Sequence, residues 1–101
     1  MSLEFLTAAM TARADKVKGL DARLQFDFGE EGVLLIDGRT DPPSISKDKD
    51  PDADCTVVIA FEDMLRMIKR EVGFGTFYAM GLLDVHGDFA VVMRLQEAIE
   101  A

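Results

Sequence analysis

The chain has 101 residues, 49% apolar and 30% charged, with a formal net charge of -8 at pH 7. A single domain over residues 1–101 is expected, large enough to bury roughly 65% of its extended-chain surface, and the composition excludes a disordered chain or one with an apolar run near the ~18 residues that span a bilayer. The charge opposes loose association with nucleic acid or anionic membranes, which are polyanions, so no nucleic-acid partner and no stable membrane insertion are expected.

The lone Cys55 cannot form an internal disulfide, and the opening MSLEFLTAAM has no positive leader and carries Glu4 where a secretory signal is apolar. The C-terminal Ile99-Glu100-Ala101 is not a peroxisomal address. A cytoplasmic location is the expectation.

Ser2 is placed to N-cap a first helix, in which Leu3, Leu6, Met10 and Val17 form an apolar stripe with Phe5, Ala9 and Ala12 beside it, and Gly19 ends it. From Leu20 the period switches to two. Leu20, Ala22, Leu24, Phe26 and Phe28 alternate with Asp21, Arg23, Gln25 and Asp27, the pattern of a half-buried strand. Gly29-Glu30-Glu31-Gly32 suits a hairpin turn into Val33–Ile36, whose apolar run predicts a strand covered on both faces. Residues 37–54, with Pro42, Pro43 and Pro51, read as a long surface loop with little regular structure. Thr56–Ala60 is β-branched and predicts a third strand.

Phe61, Met64, Leu65, Ile68 and Val72 then recur at helical spacing, with Glu62, Asp63, Arg66, Lys69 and Arg70 toward water. Gly73 and Gly75 break this helix, Thr76 caps a short apolar turn through Met80, Leu82–His86 forms a strand, and Gly87-Asp88 turns the chain into a last amphipathic helix. The order is helix, three strands, helices, strand, helix.

Chemistry is thinly represented. Asp48, Asp50, Asp52 and Asp54 start like a calcium loop, but Pro51 and Ala53 interrupt it and Ile59 stands at the twelfth place instead of a bidentate Glu. A solvated loop with no metal is the expectation. Cys55 and His86 are conceivable as nucleophile and base, against the simpler reading of Cys55 as a small buried hydrophobe. Gly73-Phe74-Gly75 lacks the following Gly-Lys-Ser/Thr of a phosphate loop. No catalytic residue and no cofactor are assigned. The six methionines suit either an ordinary core or an adaptable apolar pocket wall.

Gly81-Leu82-Leu83-Asp84-Val85-His86-Gly87-Asp88, followed by Met93-Arg94-Leu95 and preceded by Tyr78, resembles the signature of the sterol carrier protein type-2 family. Ala53-Asp54-Cys55-Thr56 and Gly32–Asp37 resemble that family's third and second strands. The resemblance implies an α+β fold: a mostly antiparallel four- to five-stranded sheet with helices packed on one face, enclosing an apolar pocket. It further implies non-catalytic binding or intracellular transfer of a fatty acid, acyl-CoA, sterol-like lipid or phospholipid. The residues expected to line the pocket are Leu24, Phe26, Met64, Leu65, Ile68, Phe77, Met80, Leu82, Phe89, Val92 and Met93.

Val92 stands where the family commonly has Ala, and Leu34 and Leu35 where an aromatic is common. The chain ends six residues after Leu95, which leaves three alternatives: a closed tunnel, an open groove, or closure by a second subunit in a homodimer. At about 24 cal/mol per Å³, an apolar void of roughly 300 Å³ costs about 7 kcal/mol, comparable to the ~5–15 kcal/mol stability of a small domain. A sizeable pocket is therefore occupied by ligand or water, and an accessory or interaction protein with a filled tunnel is the alternative reading.

Overall fold

A computed structural model describes residues 3–12, 14–17, 19–69, 71 and 73–100. Ser2, Arg70 and Val72, and the Ile68 side chain, lie outside the described residues. The elements are α1 (Leu3–Ala12), β1 (Arg23–Asp27), β2 (Val33–Asp37), β3 (Ser44–Ser46), β4 (Cys55–Ile59), α2 (Phe61–Ile68), α3 (Phe74–Ala79), β5 (Leu83–Gly87) and α4 (Phe89–Glu100). A short 3-10 turn at Ala14–Val17 follows α1.

The five strands form one sheet in the order β3-β2-β1-β4-β5. Every pairing is antiparallel except the central β1–β4, which is parallel. A parallel neighbour needs a crossover, and residues 47–54, between β3 and β4, supply it. The turn at Gly29–Gly32 forms as expected: both glycines take positive φ and the Phe28 amide donates to the Gly32 carbonyl at 2.9 Å.

Register settles which side chains share a face. Leu24 lies opposite Ile36 and Cys55, Phe26 opposite Leu34 and Val57, and Ile59 opposite Leu83. Because side chains alternate along a strand, all of these point to one face, and all are buried. Leu6 and Met10 of α1, Phe61 and Met64 of α2, Phe77 of α3, and Val91, Val92 and Leu95 of α4 join the same apolar cluster. Phe28 continues it, parallel to Phe26 at 6.4 Å and edge-on to Phe61 at 5.3 Å.

Four expectations need correction. Residues 37–54 are not wholly irregular: Ser44–Ser46 adds an edge strand, with Ile45 opposite Ile36. Three residues with one apolar side chain show no period, so the signal was absent. Val33 and Leu35 are half-buried, not covered like Leu34 and Ile36, because they face away from the core. Phe5, expected beside the buried stripe of α1, is 57% exposed. Finally, α3 begins at Phe74 with Gly73 as its N-cap, so Gly75 is inside a helix and Thr76 is not the cap.

The acidic loop is also more than a solvated segment. Asp50 accepts from the Arg23 guanidinium at 2.8 Å, the Asp50 amide donates to Gln25 Oε1 at 2.8 Å, and the Asp54 carboxylate accepts from the Arg23 amide at 2.8 Å. Gln25 Nε2 in turn donates to Thr56 Oγ1 at 3.3 Å, so a buried polar side chain on the outer sheet face is satisfied from both sides. The loop therefore clamps β1 beside β4. Arg23→Met is expected to cost about 1–2 kcal/mol in urea unfolding, the range for charge-assisted bonds in a partly exposed setting.

Candidate functional site

The segment from α3 to α4 is built by the residues of the recognised pattern. Met80 closes α3; Gly81, at φ 72, donates to the Tyr78 carbonyl at 3.1 Å, and Leu82 donates to the Phe77 carbonyl at 3.0 Å. This paired cap satisfies the last helical carbonyls and needs a left-handed residue, which glycine supplies. Leu83 and Val85 then face the core, whereas Asp84 and His86 face outward on the wet side of the sheet.

Gly87 takes φ 101, and an added Cβ would stand 2.5 Å from the Asp54 carbonyl oxygen. Asp88 donates its amide to that same carbonyl at 2.9 Å and accepts from the Ala90 amide at 3.0 Å through Oδ1. It thus N-caps α4 while tying it to the start of β4. The Gly-Asp pair is a joint between strand and helix.

The residues expected to line a pocket fall into two sets. Leu24, Phe26, Met64, Phe77 and Val92 are buried in the common apolar cluster, with Leu65 half-buried against it. Met80, Leu82, Phe89 and Met93 are exposed, Met80 by 64%. The geometry explains the second set. Met80 and Leu82 flank the Gly81 turn, and Phe89 and Met93 share the side of α4 away from Val91, Val92 and Leu95.

An aromatic cluster includes Phe89 of the exposed set. Phe89 stands 5.4 Å from Tyr78 and 6.1 Å from Phe74, and Phe74 stands 6.2 Å from Tyr78. Phe74 was missing from the expected lining residues, although its spacing of four from Tyr78 on one helix is the signal that pairs them. The Arg66 guanidinium lies over the Phe77 ring at 5.5 Å from its centroid and pairs with Asp63 at 3.6 Å. It covers the ring that anchors α3.

A separate open cleft of about 530 Å³ is lined by Phe28, Glu30, Glu31, Ala60, Phe61, Glu62 and Leu65. Among the described residues, Leu65 alone of the expected lining set borders it. Its mixed acidic and aromatic wall is unlike the apolar surface around Tyr78.

Register also removes the Cys55–His86 pair: Cys55 faces the core opposite Gly87, and His86 faces outward opposite Thr56. Burial pushes the Cys55 thiol up to about 11, with Asp88 and Asp54 adding repulsion. A thiol at that value is protonated at neutral pH and a poor nucleophile. Reaction of Cys55 with a thiol reagent at pH 8 is expected only after unfolding. Because the folded value is raised, the thiol's contribution to stability is complete below about 9, where the unfolded thiol titrates, and is lost as pH rises toward about 11.

Residues 3–100 match the SCP-2 sterol transfer family. The chain belongs to that family. Bovine sterol carrier protein 2 is 28% identical over 68 residues, which cover 67% of this chain and 12% of the relative. The chain thus spans about an eighth of the length of the curated relatives that it matches. The solution structure of palmitated SCP2L2 from Aedes aegypti aligns with a TM-score of 0.72 and 22% identity, covering 100% of this chain and 96% of that one. A domain of the sec-alkylsulfatase Pisa1 from Pseudomonas sp. aligns with a TM-score of 0.68 and 18% identity, covering 84% of this chain and 14% of that one. At these identities the structures establish the SCP-2 fold, which occurs both in a chain of this size and within a longer enzyme. Lipid or sterol binding or transfer is the family's function in general. No helix among the described residues is long and apolar enough to cross a membrane.

Proposed function

We propose that this domain takes up the hydrophobic tail of a lipid, such as a fatty acid, acyl-CoA, sterol-like lipid or phospholipid, and holds or transfers it without chemistry. The match to the SCP-2 family along residues 3–100 carries this reading. Leu24, Phe26, Met64, Leu65, Phe77 and Val92 contact the tail in the interior, and Met80, Leu82, Phe89 and Met93 form the mouth. Burying a tail contributes about 0.8 kcal/mol per CH₂, so about nine methylenes offset the roughly 7 kcal/mol of an apolar space of about 300 Å³. Native mass spectrometry of protein from a bacterial host is expected to show a bound lipid; a ligand-free protein that also ignores fluorescent fatty acids would count against the proposal.

A second reading, an accessory protein with a filled interior, is favoured by the burial of Phe77 and Val92 within one continuous cluster. It predicts a stable protein partner and no lipid in a pull-down from the native cell. A lipid-loaded protein without a partner excludes it.

A further inference from the structure

The exposed apolar residues are concentrated on one part of the surface. From Gly73 to Leu83 no side chain is charged at neutral pH in a chain that is 30% charged, and along this run Tyr78, Met80 and Leu82 are exposed. Phe89 and Met93 extend the same patch along α4, with Phe89 held against Tyr78 and Phe74. An interior apolar cluster does not explain them. Contiguous exposed apolar surface with an amphipathic aromatic marks an interaction site.

We propose that the α3–β5–α4 patch docks on the surface of a neutral, zwitterionic lipid bilayer, with Tyr78, Met80 and Leu82 entering the interface. Charge selects this occupant. A second copy brings another formal charge of -8 toward the first, and an anionic bilayer is repelled in the same way, whereas a zwitterionic surface has no net charge to oppose approach. The flanks of the patch carry both signs, Arg66 over Phe77 and Arg94 beside Met93, with Asp88 at the joint that opens α4. Such flanks match the phosphate and the quaternary ammonium of a phosphocholine head group. Docking here places a bilayer against the mouth proposed above, and to that extent it rests on the lipid-binding reading.

Tyr78 is the only tyrosine and the chain has no tryptophan, so intrinsic fluorescence reports on the patch alone. Titration with phosphatidylcholine vesicles is expected to change Tyr78 emission saturably and to carry the protein into the vesicle fraction on flotation. Adding phosphatidylserine weakens binding, and salt restores it by screening. Met80→Glu with Leu82→Glu, both exposed, is expected to weaken vesicle binding at least about tenfold with unchanged thermal unfolding; Val58→Ser, exposed on the opposite sheet face, leaves it unchanged. Failure of the wild type to float with phosphatidylcholine, equal binding by the double variant, or a concentration-dependent dimer that buries Tyr78 would each overturn docking. Binding of a fluorescent fatty acid in vesicle-free solution separates this failure from that of the lipid-binding reading.

Discussion

Phe77→Ala is expected to lower the stability of the fold by about 3–5 kcal/mol, the range for removing a buried aromatic and leaving a cavity. The ring is 1% exposed and joins α3 to the core under the Arg66 guanidinium. Since a small domain has ~5–15 kcal/mol in total, the variant sits near the edge of folding at physiological temperature. Urea denaturation measures the loss directly. A change below about 1 kcal/mol would mean that the ring borders empty space and contributes little packing. Lipid binding adds a second reading: a ligand that reaches the vacated volume is expected to restore part of the loss by mass action.

Gly87→Ala is expected to cost about 3 kcal/mol or more, from two causes that add. A left-handed backbone costs a residue with a Cβ roughly 1–2 kcal/mol, and that Cβ would meet the Asp54 carbonyl oxygen and the Cys55 Cα, which are backbone and cannot rotate away. Moving them breaks the bond from the Asp88 amide to Asp54 and loosens the β4–β5 ladder. Gly75→Ala is the control with the opposite sign. Nothing lies within 4 Å of its added Cβ, and inside α3 alanine is expected to gain roughly 0.5–1 kcal/mol by helix propensity. Thermal unfolding of both variants checks the pair. Equal effects would show that Gly87 is a turn preference and not a joint.

Much of this architecture was legible because the residues that build it speak in strong local signals. Alternation from Leu20 to Phe28 located β1 and its buried face, the Gly29–Gly32 turn fixed the hairpin, and the Gly-Asp joint announced the last helix. The edge strand at Ser44–Ser46 was invisible, since its pairing depends on Ile36 across the sheet and not on any period of its own. The order of α3 was misread because Gly75 looks like a breaker, yet contacts of Phe74 with Tyr78 and Phe89 hold the helix around it. Tertiary packing overrode propensity there.

The acidic loop was read by composition as solvated, and long-range partners changed its meaning. Asp50 and Asp54 find Arg23 and Gln25 across roughly thirty positions of chain, a separation that spacing rules do not reach. The expected lining residues could be named from the sequence, whereas their division between the inside and the outside of the fold could not. Helical and strand periods placed Leu24, Phe26, Met64, Phe77 and Val92 inward, while the outer side of α4 and the turn at Gly81 left Met80, Leu82, Phe89 and Met93 outside. That division gives the proposed lipid path an interior and a mouth.

The proposal of an interior lipid is tested most directly through the methionine methyl groups. Met64 is buried while Met80 and Met93 are exposed, so ¹³C-methyl-methionine resonances separate the inside of the path from its mouth. Titration of the domain with palmitate below its critical micelle concentration is expected to shift Met64 saturably at one equivalent, together with Met80 or Met93. A spectrum in which Met64 never moves, with changes confined to the exposed methyls, would contradict uptake into the core.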